Sequence, residues 1–172
     1  MPPTVNLVGL VLLDAMCRDF SRCPERGEPP EHVATDITWH AGGGAANTSA
    51  ALAQLGLHTR VFGRLGDDAY GRRVVADLQR HGVCTRHISR VPGEQSTWCF
   101  VGIHPDGEHT FVCTYGASHD CSPADVPADV WADGQAVVYQ DMGSLPQLDG
   151  RPAAALLQQA RAQGAITFAD EN

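Results

Sequence analysis

The chain has no run of basic residues, no apolar stretch approaching a membrane span, no Cys-x-x-Cys pair and no His-Glu-x-x-His. Each absence closes a class of function. The 12 Lys and Arg stand against 20 Asp and Glu, leaving a net charge of −8. An acidic chain without a basic stripe is a poor match for a phosphate backbone, so no nucleic-acid partner is expected. The apolar run over residues 5–13 is closed by Asp14 and has no basic flank before it. It is too short to span a bilayer, which takes about 20 residues, and it lacks the anatomy of a signal peptide. A buried strand, a cytoplasmic location and no membrane partner are the expectation. The six cysteines, at 17, 23, 84, 99, 113 and 121, sit at no zinc-finger spacing with the eight histidines. They are expected as free thiols without a structural metal, Cys99 and Cys113 serving as small packing residues in apolar β runs. No repeat, low-complexity tract or linker interrupts the sequence.

What is present supports a packed domain. With 172 residues and 43% hydrophobic content, the chain makes one ordinary domain or a large piece of one. Residues 5–13 read as a central strand, and the Pro- and Gly-rich residues 18–31 as an irregular excursion. Residues 33–39 alternate weakly, as a strand outside the main core would. A helix is expected over 44–55 with Gly56 as its stop, a strand over 59–65, and a helix over 69–81 capped by Asp68 and ended by Gly82. Val74, Val75 and Leu78 mark the buried side of that helix. Residues 96–104 and 109–115 form two β runs joined by the turn Pro105-Asp106-Gly107-Glu108. A strand over 136–140, a helix over 152–163 and a strand over 165–168 follow. Strands alternating with helices imply a parallel sheet covered by helices.

The candidate site lies where Trp39-His40-Ala41-Gly42-Gly43-Gly44-Ala45-Ala46-Asn47 enters the first helix. Glycines let main chain approach a ligand, and a helix start presents unpaired N–H donors. Asn47 offers donors and an acceptor, which suits hydroxyl groups. Asp14, read as the tip of a central strand, stands where open α/β sheets bind ligands, and its carboxylate can accept from two vicinal hydroxyls. The glycines are not a nucleotide P-loop, because no Gly-Lys-Ser/Thr follows, and they lack the Gly-x-Gly-x-x-Gly spacing of a dinucleotide site. Asp67 and Asp68 read as turn and cap.

In this order the motifs resemble the N-terminal part of the ribokinase, or PfkB-type, carbohydrate kinases. Residues 8–14 resemble the family's first strand, whose terminal Asp binds sugar hydroxyls, and Pro24-Glu25-Arg26-Gly27-Glu28 resembles a Pro-x-x-Gly-Glu turn in its lid. Gly42-Gly43-Gly44-Ala45-Ala46-Asn47 resembles the Gly-Gly-x-x-x-Asn of the first family signature. Leu55-Gly56, residues 63–71, Gly82-Val83, Asp106-Gly107-Glu108 and the closing Asp170-Glu171-Asn172 follow in family order.

The resemblance implies a doubly wound, Rossmann-like parallel sheet with a small β-sheet lid. Residues 1–172 would be a single partial domain, with lid segments at about 16–40 and 95–116. It implies substrate binding by Asp14, Gly42, Gly43, Gly44, Asn47 and, on a looser match, Asp141. It further implies ATP and Mg²⁺ as cofactors, a small sugar as partner and a homodimer through the lid. The family's catalytic base sits in Asp-Thr-x-Gly-Ala-Gly-Asp and its magnesium-organising group in Asn-x-x-Glu, and these 172 residues contain neither. The chain is therefore expected to hold the sugar face without the ATP face, truncated before it, and to be inactive alone. Ribose-specific relatives often carry Lys at the place of Gly44, which turns the expectation away from ribose. The alternative is a non-catalytic module that binds a sugar or a partner through the lid.

Overall fold

The chain builds two sheets from one sequence of short elements. The computed structural model describes residues 3–28, 36–127, 131 and 135–171; the start of the strand expected at 33–39, and Asn172, lie outside the described residues. The elements are β1 (Thr4–Val8), β2 (Leu12–Arg18), β3 (Asp36–Gly42), α1 (Gly44–Gln54), β4 (His58–Gly66), α2 (Ala69–Arg80), β5 (Ile88–Val91), β6 (Trp98–Ile103), β7 (His109–Cys113), β8 (Ala136–Met142), α3 (Arg151–Ala162) and β9 (Ile166–Glu171). A five-stranded sheet runs in the order β5-β4-β1-β8-β9, and every pairing in it is parallel. A second, mixed sheet runs β3-β2-β6-β7.

The parallel sheet is covered on both faces, which is why its strands are apolar without strict alternation. On one face α1 and α2 place Ala45, Ala46, Val74 and Leu78 over Val5, Leu7 and Val61. On the other, α3 places Ala153, Leu156 and Ala160 against Val8, Val137 and Tyr139. This is the doubly wound α/β architecture expected. Asp68 caps α2 by accepting the Gly71 N–H at 2.7 Å, and it also accepts from the Ser96 N–H and hydroxyl. Among the described residues no helix is long and apolar enough to cross a membrane.

Two expectations change. Residues 5–13 are not one strand. β1 ends at Val8, Gly9 and Leu10 leave the parallel sheet, and β2 begins at Leu12 in the other sheet. Asp14 therefore belongs to the second sheet, not to the tip of a central strand. The Gly9 N–H makes the last bond to β4, with the Phe62 carbonyl at 3.3 Å, and the Leu10 N–H turns instead to the Asp141 carboxylate at 2.8 Å, a partner far away in sequence. Cys99 and Cys113, expected as free thiols, form a disulfide. The β6–β7 register sets them directly opposite each other, with Cα atoms 4.0 Å apart. Cys17, Cys23, Cys84 and Cys121 are free.

Candidate functional site

The glycine run bends where β3 hands over to α1, and each glycine is closely approached by a different group. Gly42 lies against the Asp14 side chain so closely that an added Cβ would fall 2.5 Å from the carboxyl carbon. Gly43 has φ +90°, a left-handed conformation costly for other residues, and a Cβ there would stand 2.3 Å from the Leu10 carbonyl oxygen. A Cβ on Gly44 would meet an Asp141 carboxylate oxygen at 2.7 Å. The two carboxylates thus sit on the first and third glycines of the turn.

They are set differently. Asp14 pairs across β2–β3 with His40 and across β2–β6 with Cys99. It is half-buried, and burial pushes its carboxyl up to about 6. Asp141 is buried, with φ 62°. Its two oxygens accept the Leu10 N–H at 2.8 Å and the Gly44 N–H at 3.0 Å. α1 has no capping side chain of its own at Gly43. Asp141 supplies one from β8, so the Gly44 donor expected to be open is engaged. This carboxylate fastens the crossing between the sheets to the glycine turn.

A cleft of about 400 Å³ opens beside this turn, lined by Leu10, Leu12, Thr97, Tyr115, His119 and Ser144 among others. Leu12 shares its face of β2 with Asp14, two residues on, and Leu10 carries the N–H held by Asp141. The cleft therefore runs between the second sheet and the end of β8. Tyr115 and His119 meet edge to face at its rim, with ring centroids 4.7 Å apart. The sequence did not single out Leu12, Thr97, Tyr115, His119 or Ser144, since their convergence depends on how two sheets meet. Asn47, the fourth residue of α1, lies elsewhere. It is exposed and lines a separate cleft of about 290 Å³ between α1 and α2, with His40, Ala41 and Asp77. The structure thus brings Asp14, Gly42, Gly43, Gly44 and Asp141 together and sets Asn47 on the adjoining groove.

Asp77 was missed by the sequence reading. It lies within α2 and is 4% exposed. Burial works against its charge, but the Ala41 N–H at 2.7 Å and the Arg80 guanidinium hold its carboxyl below the usual range. It ties α2 to the strand that delivers the glycines.

The profile of the pfkB family carbohydrate kinases matches residues 9–171. Relatives include a fructokinase of Vibrio alginolyticus, 31% identical over 108 residues, which make up 63% of this chain and 31% of the relative. A ribokinase of Bacillus subtilis is 29% identical over 120 residues, 70% of this chain and 40% of the relative. Among solved structures, an Arabidopsis thaliana ribokinase complexed with ribose and ATP superposes with a TM-score of 0.76 at 24% identity, over 99% of this chain and 54% of that one. A fructokinase with bound ATP from Xylella fastidiosa gives 0.76 at 22% identity, over 100% and 52%. The chain spans well under half the length of these two sequence relatives and about half of these two solved chains.

Proposed function

Because the chain belongs to the PfkB family of carbohydrate kinases, we propose that it forms the sugar-binding half of an ATP-dependent kinase acting on a primary hydroxyl of a carbohydrate. The observation that carries this reading is the Asp14 carboxylate seated on Gly42, within a turn whose third glycine is anchored by Asp141. When ionised, Asp14 is an acceptor in a partly desolvated place, where hydrogen bonds to hydroxyls are strengthened. Gly42 and Gly43 supply bare main chain, and Asn47 adds an amide at the adjoining groove. Asp141 enters the reading as the acid that keeps Leu10, in the cleft lining, and Gly44, at the start of α1, in place.

In this reading the second sheet is the lid over the sugar. Its exposed Ile37, Phe111 and Val112 support a homodimer made through it. A cytoplasmic location, where ATP and free sugars meet, belongs to the same reading.

ATP and Mg²⁺ come with the family. Among the described residues no three His, Cys, Asp or Glu side chains converge as the ligands of an all-protein metal centre would. The two oxygens of Asp141, which faces Gly44, each accept a backbone donor. No phosphoryl-transfer step is therefore assigned to side chains of this chain, and the 172 residues alone are expected to bind sugar without phosphorylating it.

Gly44 stands against the Asp141 carboxylate where some relatives carry Lys, which supports a sugar other than ribose. Titration calorimetry with D-fructose, D-ribose and 2-keto-3-deoxygluconate tests the assignment. Saturable binding of at least one sugar is expected, weakened roughly 10-fold or more by Asp14→Ala, the loss of one or two charge-assisted hydrogen bonds. Binding that survives Asp14→Ala unchanged would remove Asp14 from the site.

A further inference from the structure

The disulfide lies in a row that leads from the site to the surface. Asp14 on β2, Cys99 on β6 and Cys113 on β7 are direct neighbours across three strands. Cys113 is exposed and lines the 400 Å³ cleft, whereas Cys99 is only 2% exposed. β7 is the edge of the second sheet and pairs only with β6 among the described residues. Little apolar burial holds it, since Phe111 and Val112 are 64% and 57% exposed. The hairpin turn restrains one end of β7, where the Gly107 N–H donates to the His104 carbonyl. The cystine restrains the other end, next to the Thr114 and Tyr115 wall of the cleft.

We propose that Cys99 and Cys113 are a reversible thiol–disulfide site that fastens β7, and with it the Thr114–Tyr115 wall, to the second sheet. The co-reactant is a low-molecular-mass thiol. Its thiolate attacks the sulfur of Cys113, the exposed residue of the pair, the S–S bond breaks, and Cys99 leaves as a thiolate that takes a proton. A second thiol displaces the first from Cys113. The products are two cysteine thiols and one small disulfide, so two electrons and two protons have entered the protein. A small disulfide drives the reverse reaction. Oxidation closes a loop with a sequence separation of 14 residues, and it narrows the open states available to an edge strand.

The test uses the whole chain in glutathione buffers, reducing or oxidising, followed by acid quench, alkylation under denaturing conditions and peptide mapping. In the oxidising buffer Cys17, Cys23, Cys84 and Cys121 are expected as alkylated thiols or as mixed disulfides with glutathione, with Cys99 and Cys113 protected as one cross-linked pair. All six are expected to be labelled in the reducing buffer. Hydrogen exchange of the amides over 109–115 is expected to rise about 10- to 100-fold on reduction, with β1 and β4 unchanged. A Cys99→Ser, Cys113→Ser double variant is expected to exchange quickly in both buffers. Should that variant fail to fold, the comparison of the native chain between buffers decides alone. Labelling of Cys99 in the oxidising buffer, its cross-linking to another cysteine, or equal exchange over 109–115 in the two buffers would overturn the proposal.

Discussion

Asp14 carries a conflict that one substitution can expose. Its carboxyl is pushed up to about 6 by burial, while the unfolded chain titrates near the ordinary 3.8. Folding therefore takes up a proton between those values. The associated stability is fully present below pH 3.8, declines as pH rises through 6, and is absent at neutrality, where the ionised carboxylate opposes folding. Asp14→Asn is expected to stabilise the chain by about 1–2 kcal/mol at pH 7.5, a figure reduced for partial exposure, and by close to nothing near pH 4. Urea unfolding at the two pH values checks this. An equal gain at both would discard desolvation as the cause. If Asp14 binds sugar hydroxyls, affinity in the native chain should also strengthen as pH rises through about 6, the opposite trend to stability. The residue would then trade folding free energy for binding.

Among the elements, α2 does more than cover the sheet. Its Asp77 accepts the Ala41 N–H one residue before the glycine turn. Asp77→Ala leaves that N–H without its acceptor, and a loss of about 2–3 kcal/mol is expected at pH 7. Because the Asp77 carboxyl is held below its ordinary value, its contribution is present above pH 3.8 and fades as pH falls below it. The penalty of the substitution should shrink in acid. Denaturant midpoints at pH 7 and pH 3 measure it, and a loss under about 0.5 kcal/mol at pH 7 would mean the contact is dispensable.

Most elements were legible from period and punctuation. Asp68 capped α2 as read, the hairpin turned at Gly107, and α3 began with Pro152 in its first turn. The glycine run was legible as a tight approach of main chain before a helix, and the structure gives each glycine a close neighbour in Asp14, Leu10 or Asp141. What escaped shares one cause, which is that partners distant in sequence decide it. β1 and β2 look like one apolar run, and they part where the Leu10 N–H turns to Asp141, a partner 131 residues on. Asp77 looks like a solvated helix residue until Ala41 is placed above it. The cystine follows from hairpin register, not from cysteine spacing. β5 is four residues with polar character and carries little signal of its own.

For the molecule as a whole, the parallel sheet stops at β9, which pairs with β8 on one side and with no strand on the other among the described residues. Ile166 and Phe168 lie on one face of it, 64% and 55% exposed. A net charge of −8 opposes contact between copies at low salt. Screening shortens that repulsion to about 3 Å in 1 M salt, while apolar attraction persists. Self-association of the isolated chain is therefore expected to grow with salt, and Ile166→Lys with Phe168→Lys to suppress it. Sedimentation velocity from 0.05 to 1 M salt reads both, and association that weakens with salt would mean charge, not this edge, drives it. The glycine turn also bears on engineering. Gly43 is closed to even a methyl group by its φ of +90° and the Leu10 carbonyl, so a search for altered ligand preference in the proposed site falls first on the accessible cleft rim at Tyr115 and His119. A library randomised at those two rim positions leaves the core untouched, whereas one that reaches Leu12 or Thr97, each 5% exposed, also disturbs core packing.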